Sequence, residues 1–347
     1  MSLPDPAPPR KPSRWGLYAP FAVLLIAIAA WSGVWWWAQG QARARMDAAV
    51  ADLARSGYQI GWGGREIGGY PFRMDVTLTD ATIREPSGWA LQAPVLEAEA
   101  YMHAPGHWML ATPSGLTFTR PQAGAVTVTG KLIHASLTNL DARPPSFSFE
   151  GVGLAFQPQA GAQPFFLSAA DKVEFHLRAG PDDEGGVFLS VDKGTARLSG
   201  LFARIAEGKP ISIVWNSTLS KMSAFTGDDW PSAVRRWSDA GGRMTVRQGG
   251  VTAGDALIGT TGASLSVGAD GRVRGVMPVT VRQATRALGA MGDQGLLPRE
   301  SAQAAADVAQ TREEPDHSAH INLDFEAGRT TLGPVAIGPA PKVYSPR

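Results

Sequence analysis

Apolar and polar positions along the chain fall into three regimes. From Leu17 to Ala38 no side chain is charged, and Leu17, Phe21, Leu24, Leu25, Ile26, Ile28, Trp31, Val34, Trp35, Trp36 and Trp37 dominate the run. As a helix rising about 1.5 Å per residue, this stretch reaches roughly 33 Å, enough to cross a bilayer core of about 30 Å. Trp15 and Tyr18 at one end, and Trp35 to Trp37 at the other, read as two interfacial aromatic belts. Next, Met46, Ala49, Val50 and Leu53 recur at intervals of three and four, which predicts a connecting helix over residues 39–57 closed by a left-handed Gly57.

From Tyr58 onward the period changes to two. Met74, Val76 and Leu78 alternate with Asp75, Thr77 and Thr79, placing the apolar groups on one face of a strand. Ala81 and Ile83 continue out of phase, as a bulge near Asp80 would cause. Alternating stretches recur at 91–100, 126–129, 147–149, 154–156, 173–177, 187–191, 211–215, 244–246, 265–267 and 321–325. Turn residues separate many of them, the pattern of an antiparallel meander. Asp270-Gly271 marks the clearest hairpin, between Leu265 and Val273. Helical patterning returns only at 232–240, 281–291 and 299–311.

The expected fold is therefore mainly β (α+β): a transmembrane helix, then a large, curled, antiparallel sheet with a small helical insertion near residues 282–312. Residues 1–16, rich in proline, read as a disordered cytosolic tail. The β-rich body is expected over 58–341, open to division into subdomains 58–205 and 206–341, with 342–347 as a tail. Gly and Pro number 40 and 26 among 347 residues, well above the usual ~12 %, which suits many short strands joined by turns.

A cleaved signal peptide is the alternative reading of the N-terminus, with Arg10, Lys11 and Arg14 as its basic region and Ala27-Ile28-Ala29 as its cleavage site. Cutting there leaves an apolar core of only about nine residues. The uninterrupted run to Ala38 favours an uncleaved anchor. Three basic residues precede the span, and Arg43 and Arg45 follow it, so the expected orientation keeps the short tail in the cytosol.

Charge adds little: 32 basic and 31 acidic residues give a net +1, and no concentrated basic surface points to nucleic acid. There is no cysteine, which excludes disulfides, thiol nucleophiles and cysteine-ligated zinc. His103-Ala-Pro-Gly-His107 has helical metal spacing, but Pro105 and Gly106 make it a loop. Asp316, His317 and His320 read as a polar loop beside a strand. Glu97 and Glu99 share one strand face, an arrangement commoner on exposed sheets than in catalytic dyads. No nucleophile elbow or phosphate-binding loop is present, and Gly61-Trp-Gly63-Gly64 reads as a turn. No catalytic residue, metal or cofactor is expected.

At Gly69-Tyr70-Pro71-Phe72-Arg73, followed by the strand from Met74, the chain resembles the bacterial family called domain of unknown function 2125. Gly262 to Gly275 and Leu332-Gly333-Pro334 fit the same layout. The resemblance implies an inner-membrane protein with a periplasmic body and brings no established activity. More loosely, the layout is similar to AsmA-like envelope proteins, which implies a greasy inner sheet face serving lipids. Physically, Gly69 permits a sharp reversal, Pro71 fixes one backbone angle, Tyr70 and Phe72 would cover the sheet end, and Arg73 could bind a phosphate or carboxylate but is expected in a surface ion pair. The expected partners are the inner membrane, a lipid or other apolar ligand held in the sheet, and envelope proteins. The competing reading is a structural envelope protein that acts through protein partners alone.

Overall fold

The computed structural model describes residues 15–142, 144–196, 208–227, 229–254, 256–282, 299–311, 318–332 and 335–344. It opens with one unbroken helix, α1 (Trp15–Arg55), which joins the apolar run to the amphipathic segment. Gly57, at φ 86°, ends it: the Gly57 and Tyr58 amides donate to the Ala54 and Leu53 carbonyls, both at 3.0 Å. These are the paired bonds of a Schellman cap.

Nineteen strands follow among the described residues, all in one sheet. They are β1 (Gln59–Gly61), β2 (Gly64–Gly68), β3 (Arg73–Arg84), β4 (Ala90–Tyr101), β5 (Trp108–Ala111), β6 (Leu116–Arg120), β7 (Gly124–Thr129), β8 (Leu132–Thr138), β9 (Ser146–Pro158) and β10 (Leu167–Ala179). Then come β11 (Gly185–Ala196), β12 (Ile211–Leu219), β13 (Met244–Ala253), β14 (Ala256–Thr260), β15 (Ala263–Val267), β16 (Val273–Arg282), β17 (Ser318–Glu326), β18 (Arg329–Leu332) and β19 (Val335–Pro339). Two further helices are α2 (Trp230–Asp239) and α3 (Arg299–Gln310).

Every pairing is antiparallel, and the strands add in chain order, with some positions filled by two short strands end to end. Thus β3 pairs with both β1 and β2, β4 with both β5 and β6, and β13 with both β14 and β15. One sheet runs from β2 to β19 through the pairing of β11 with β12.

Register explains why the sheet has one oily face. Residues paired across antiparallel strands project to the same side. One such row passes Val76, Ala98, Leu110, Ala135, Phe149, Phe175, Leu189, Trp215 and Gly249 in successive strands. A bulge at Arg247 then shifts the phase of β13, and the inner row continues from Ser217 through Val246 to Ala263. Gly249 lies under the Trp215 indole, where an added Cβ would sit 2.8 Å from the ring.

The opposite face is polar. His134, Glu150, Glu174 and Ser190 form one register row, and Lys172 inserts its ammonium 3.0 Å from Glu150 and 2.8 Å from Glu174. The hydrogen bond from Lys172 holds the Glu174 carboxyl below its ordinary value of 4.5, against an opposing effect of burial, and Ser190 assists. The same contacts raise Lys172 above 10.5.

Five clusters fill or cover the inner face, one of them Val246, Ala263, Leu265, Phe325 and Ala340. Val126, Leu154, Val191 and Ile211 pack one end of the sheet solidly. Helix α1 lays Ala38, Ala42 and Met46 over Met74, Val76 and Leu78. Helix α3 sets Ala305 on Val279, Ala319 and Ile321. Helix α2 sets Val234 and Trp237 against Tyr344, Leu219 and Met244. Asp229 starts α2 with a capping box, accepting from the Ser232 amide at 2.9 Å.

Several expectations need correction. The helix begins at Trp15, inside the expected tail. The phase reversal at Asp80 is present, with φ 51°, but β4 skips a residue opposite it, so no extra residue is inserted. The stretches at 147–149 and 154–156 are one strand, β9. Val281 and Arg282 end β16 instead of starting a helix, and residues 283–291 lie outside the described residues. The Asp270-Gly271 reversal is a five-residue connection in which Gly271 alone takes a positive φ, 75°. Tyr344, expected in a tail, is buried.

Two stability predictions follow from the faces. Ile211→Ala, at a site 2 % exposed, is expected to lower unfolding free energy by about 2–5 kcal/mol, whereas Thr77→Ala on the outer face shifts it by no more than about 0.5 kcal/mol. Denaturant unfolding reads both. Lys172→Met leaves Glu150 and Glu174 facing each other, and should lower the unfolding midpoint at neutral pH, less so in high salt. Because Glu174 is depressed, its contribution is present above the unfolded carboxylate value and is lost as pH falls through the folded one. Wild type should therefore lose stability across that acid window more steeply than the variant. Lys172 contributes in the opposite sense, its share fading above pH 10.5.

Candidate functional site

Two features carry the functional interest: a hollow in the inner face, and the collar that ties α1 to the sheet. The hollow is a cavity of about 710 Å³ bounded by β10 to β13, β15, β16, α2 and the C-terminal segment. Its walls are Phe175, Leu177, Val187, Trp215, Leu219, Phe225, Trp230, Trp237, Leu265 and similar groups. Of the described residues bounding it, only Ser217, Thr226 and Ser266 have polar aliphatic side chains, and none is ionisable.

The three indoles bounding the cavity have their polar ends satisfied by the protein. Trp215 Nε1 donates to Ser217 Oγ at 3.1 Å, Trp230 Nε1 to the Val343 carbonyl at 3.0 Å, and Trp237 Nε1 to the Ser220 carbonyl at 2.6 Å. They therefore present hydrocarbon inward. Gly242 seats Trp237, since an added Cβ would lie 2.3 Å from its ring.

The inner face holds a second apolar hollow of about 380 Å³, over β1, β3 to β6, β8 and β9, bounded by Leu78, Leu96, Leu110, Phe147 and Phe149. Phe147 of this hollow and Phe175 of the larger cavity are ring neighbours at 6.1 Å, so one aromatic wall separates the two. An outer cleft of about 780 Å³, bounded by Tyr58, Glu85 and Trp89, shares Phe225, Thr226, Trp230 and Val343 with the 710 Å³ cavity and so adjoins it. Glu85 is engaged there, accepting from the Trp230 amide at 3.2 Å and from Ser87 at 2.8 Å.

The collar is the Gly69-to-Arg73 motif. Trp31 Nε1 donates to the Pro71 carbonyl at 2.7 Å, Trp35 Nε1 to the Arg73 carbonyl at 2.9 Å, and Gln39 Nε2 to the Ile67 carbonyl at 2.8 Å. Ser32 Oγ and Tyr70 Oη lie 2.9 Å apart. Trp35 stands edge-on to Tyr70 at 5.6 Å and is 4 % exposed, so it belongs to the body and not to an aromatic belt. Gly69, at φ 94°, makes the reversal possible, because a Cβ there would meet the Arg73 carbonyl at 2.8 Å. Phe72, expected to cover the sheet end, is instead 68 % exposed. Arg73 forms the surface ion pairs expected of it, with Asp75 and Glu99 at 3.1 Å each.

The remaining anchor residues behave as a free apolar rod. Leu17, Phe21, Leu24, Leu25, Ile26, Ile28, Val34, Trp36 and Trp37 are all exposed. Glu97 and Glu99 lie on the polar outer face, and residues 103–107 form turns. His320 sits in β17 beside Thr280 at 2.9 Å, while Asp316 and His317 lie outside the described residues. No group of three or more potential metal-binding side chains occurs among the described residues. The one-sided strands and body tryptophans lead to the expectation of an apolar hollow in the sheet; what sequence reasoning does not give is its place and its lining residues.

Trp35→Ala removes both the buried indole and its hydrogen bond to the collar. A loss of about 3–5 kcal/mol in unfolding free energy is expected, with faster proteolysis near Gly40 to Arg45. Unchanged stability and cleavage would mean that the collar does not hold the helix.

Comparison with curated proteins and with solved structures yields no match. The family model for uncharacterized proteins conserved in bacteria (DUF2125) matches residues 35–341, from the docked half of α1 past the last strand, and the chain belongs to that family.

Proposed function

We propose that this protein is a single-pass membrane protein, with its N-terminus in the cytosol and its body in the periplasm, and that the body binds the hydrocarbon part of a lipid. The observation that carries the reading is the 710 Å³ cavity, whose lining offers almost nothing but hydrocarbon. Left empty, a void of that size would forfeit dispersion contacts around its whole wall. Water needs two to four polar partners per molecule, which such a lining rarely provides. An acyl chain satisfies the walls: each buried methylene contributes about 0.8 kcal/mol before ordering costs are subtracted.

The volume falls within the roughly 300–1,000 Å³ of ordinary ligand pockets. The absence of a charged group among the described residues lining the cavity supports selection by chain and not by headgroup, which would remain in the outer cleft by Tyr58 and Trp89. We propose binding without turnover, because among the described residues no acid, base or charged side chain lines the cavity to move a proton. The apolar exposed half of α1 supports the anchor, and none of its most apolar window is buried against the body. Placing the body beside a bilayer gives the cavity a source of lipid.

The test uses full-length protein in vesicles whose phospholipid carries a photoreactive diazirine at mid-chain. Irradiation is expected to label peptides from β10, β12 and α2 as well as α1. Val187→Trp or Leu219→Trp, each adding an indole to the cavity, should reduce the cavity label by about tenfold and leave the α1 label intact. Label confined to α1 would contradict the reading.

A further inference from the structure

The anchor and the body overlap along α1. Spanning about 30 Å of hydrocarbon takes roughly twenty helical residues. Counted from Leu17, the first residue of the apolar run, that stretch ends near Trp36. Yet the collar grips α1 already from Trp31, through the bonds to Pro71, Tyr70 and Arg73. The helix from Trp31 to Trp36 is thus required both to sit in the bilayer and to hold the β2–β3 tip, an overlap of about 9 Å at 1.5 Å per residue. Sliding the span toward the N-terminus would draw Arg14 into the apolar layer. Tilting lengthens the stretch needed and deepens the overlap.

We infer, given an α1 that spans the membrane, that the β2–β3 tip, Gly69 to Phe72, is immersed in the phospholipid bilayer beside the span. The tip is built for that medium. It carries no charge between Gly68 and Phe72. Tyr70 is 49 % exposed and Phe72 68 %, and the tip lies beside Trp31 and Ser32 of the helix. A backbone turn entering an apolar layer must have its carbonyls satisfied by protein. Four of the five carbonyls from Gly69 to Arg73 are met in this way: Gly69 accepts from the Arg73 amide at 2.9 Å, Phe72 from the Met102 amide at 3.0 Å, and Pro71 and Arg73 from the two indoles. Pro71 has no amide hydrogen to satisfy. The first charged residue, Arg73, is paired with Asp75 and Glu99 at the level where the tip leaves the membrane. The sheet therefore touches the bilayer at two places, the helix and the tip, and its first edge cannot swing about a single tether.

The chain has no cysteine, so single labels are placed without background. Phe72→Cys, Leu24→Cys and Asp171→Cys in the full chain each receive a nitroxide and enter phospholipid vesicles; all three parent side chains are exposed, so the substitutions should leave the fold intact. Collision with dissolved oxygen and with a water-soluble nickel chelate is then compared by power saturation. Positions 24 and 72 are expected to favour oxygen and position 171 nickel. A label at 72 that favours nickel while 24 favours oxygen overturns the immersed tip and leaves the anchor standing. A label at 24 that favours nickel overturns the anchor, and the tip with it.

Discussion

A sheet with one apolar face must put that face somewhere, and this constraint organises the molecule. The cross-strand rows show that the oily side is continuous from β3 to β17, with the polar residues on the reverse. A flat sheet of such length would expose far more hydrocarbon than a soluble surface tolerates. Curling, a solid cluster at one end, and three helices laid on the inner face remove most of it. What the helices leave uncovered is the cavity. Its apolar lining is thus a consequence of the same alternation that builds the strands.

The helix α1 shows how one element serves two solvents. Its first half is exposed and apolar on every side, which suits lipid. Its second half turns an alanine and methionine face to the sheet and becomes part of the core. The transition falls at Trp31 to Gln39, where indole and amide donors meet the carbonyls of the β2–β3 tip. The Gly69-to-Arg73 motif that marks the family resemblance is thereby explained as a joint: glycine for the reversal, proline to remove a donor, tyrosine to pack on Trp35, arginine to close the exit.

Much of this was legible in the alternation itself. The two-residue period from Met74 to Leu78, its phase change at Asp80, and the separate apolar run ending at Ala38 each correspond to an observed feature. The role of Trp35 was not legible, because an indole at the end of an apolar helix looks the same whether it faces headgroups or a hairpin carbonyl. Val281 was misassigned to a helix because residues with helical spacing follow it, whereas its pairing with Ile258 and Ala319 decides the matter. Strands β1 and β2 fell in glycine-rich sequence, where pairing with β3 supplies what local propensity lacks. The cavity depends on which parts of the inner row no helix covers, a property of tertiary packing that no local pattern encodes.

The central claim is that the uncovered part of the inner face holds hydrocarbon. Density for the full-length protein in a lipid nanodisc, at a resolution that shows side chains, tests it directly. Elongated density without branching contacts to polar groups, lying between Phe175, Trp215 and Trp237, is the predicted result. A cavity closed by its own side chains, or filled with ordered water, would contradict the account.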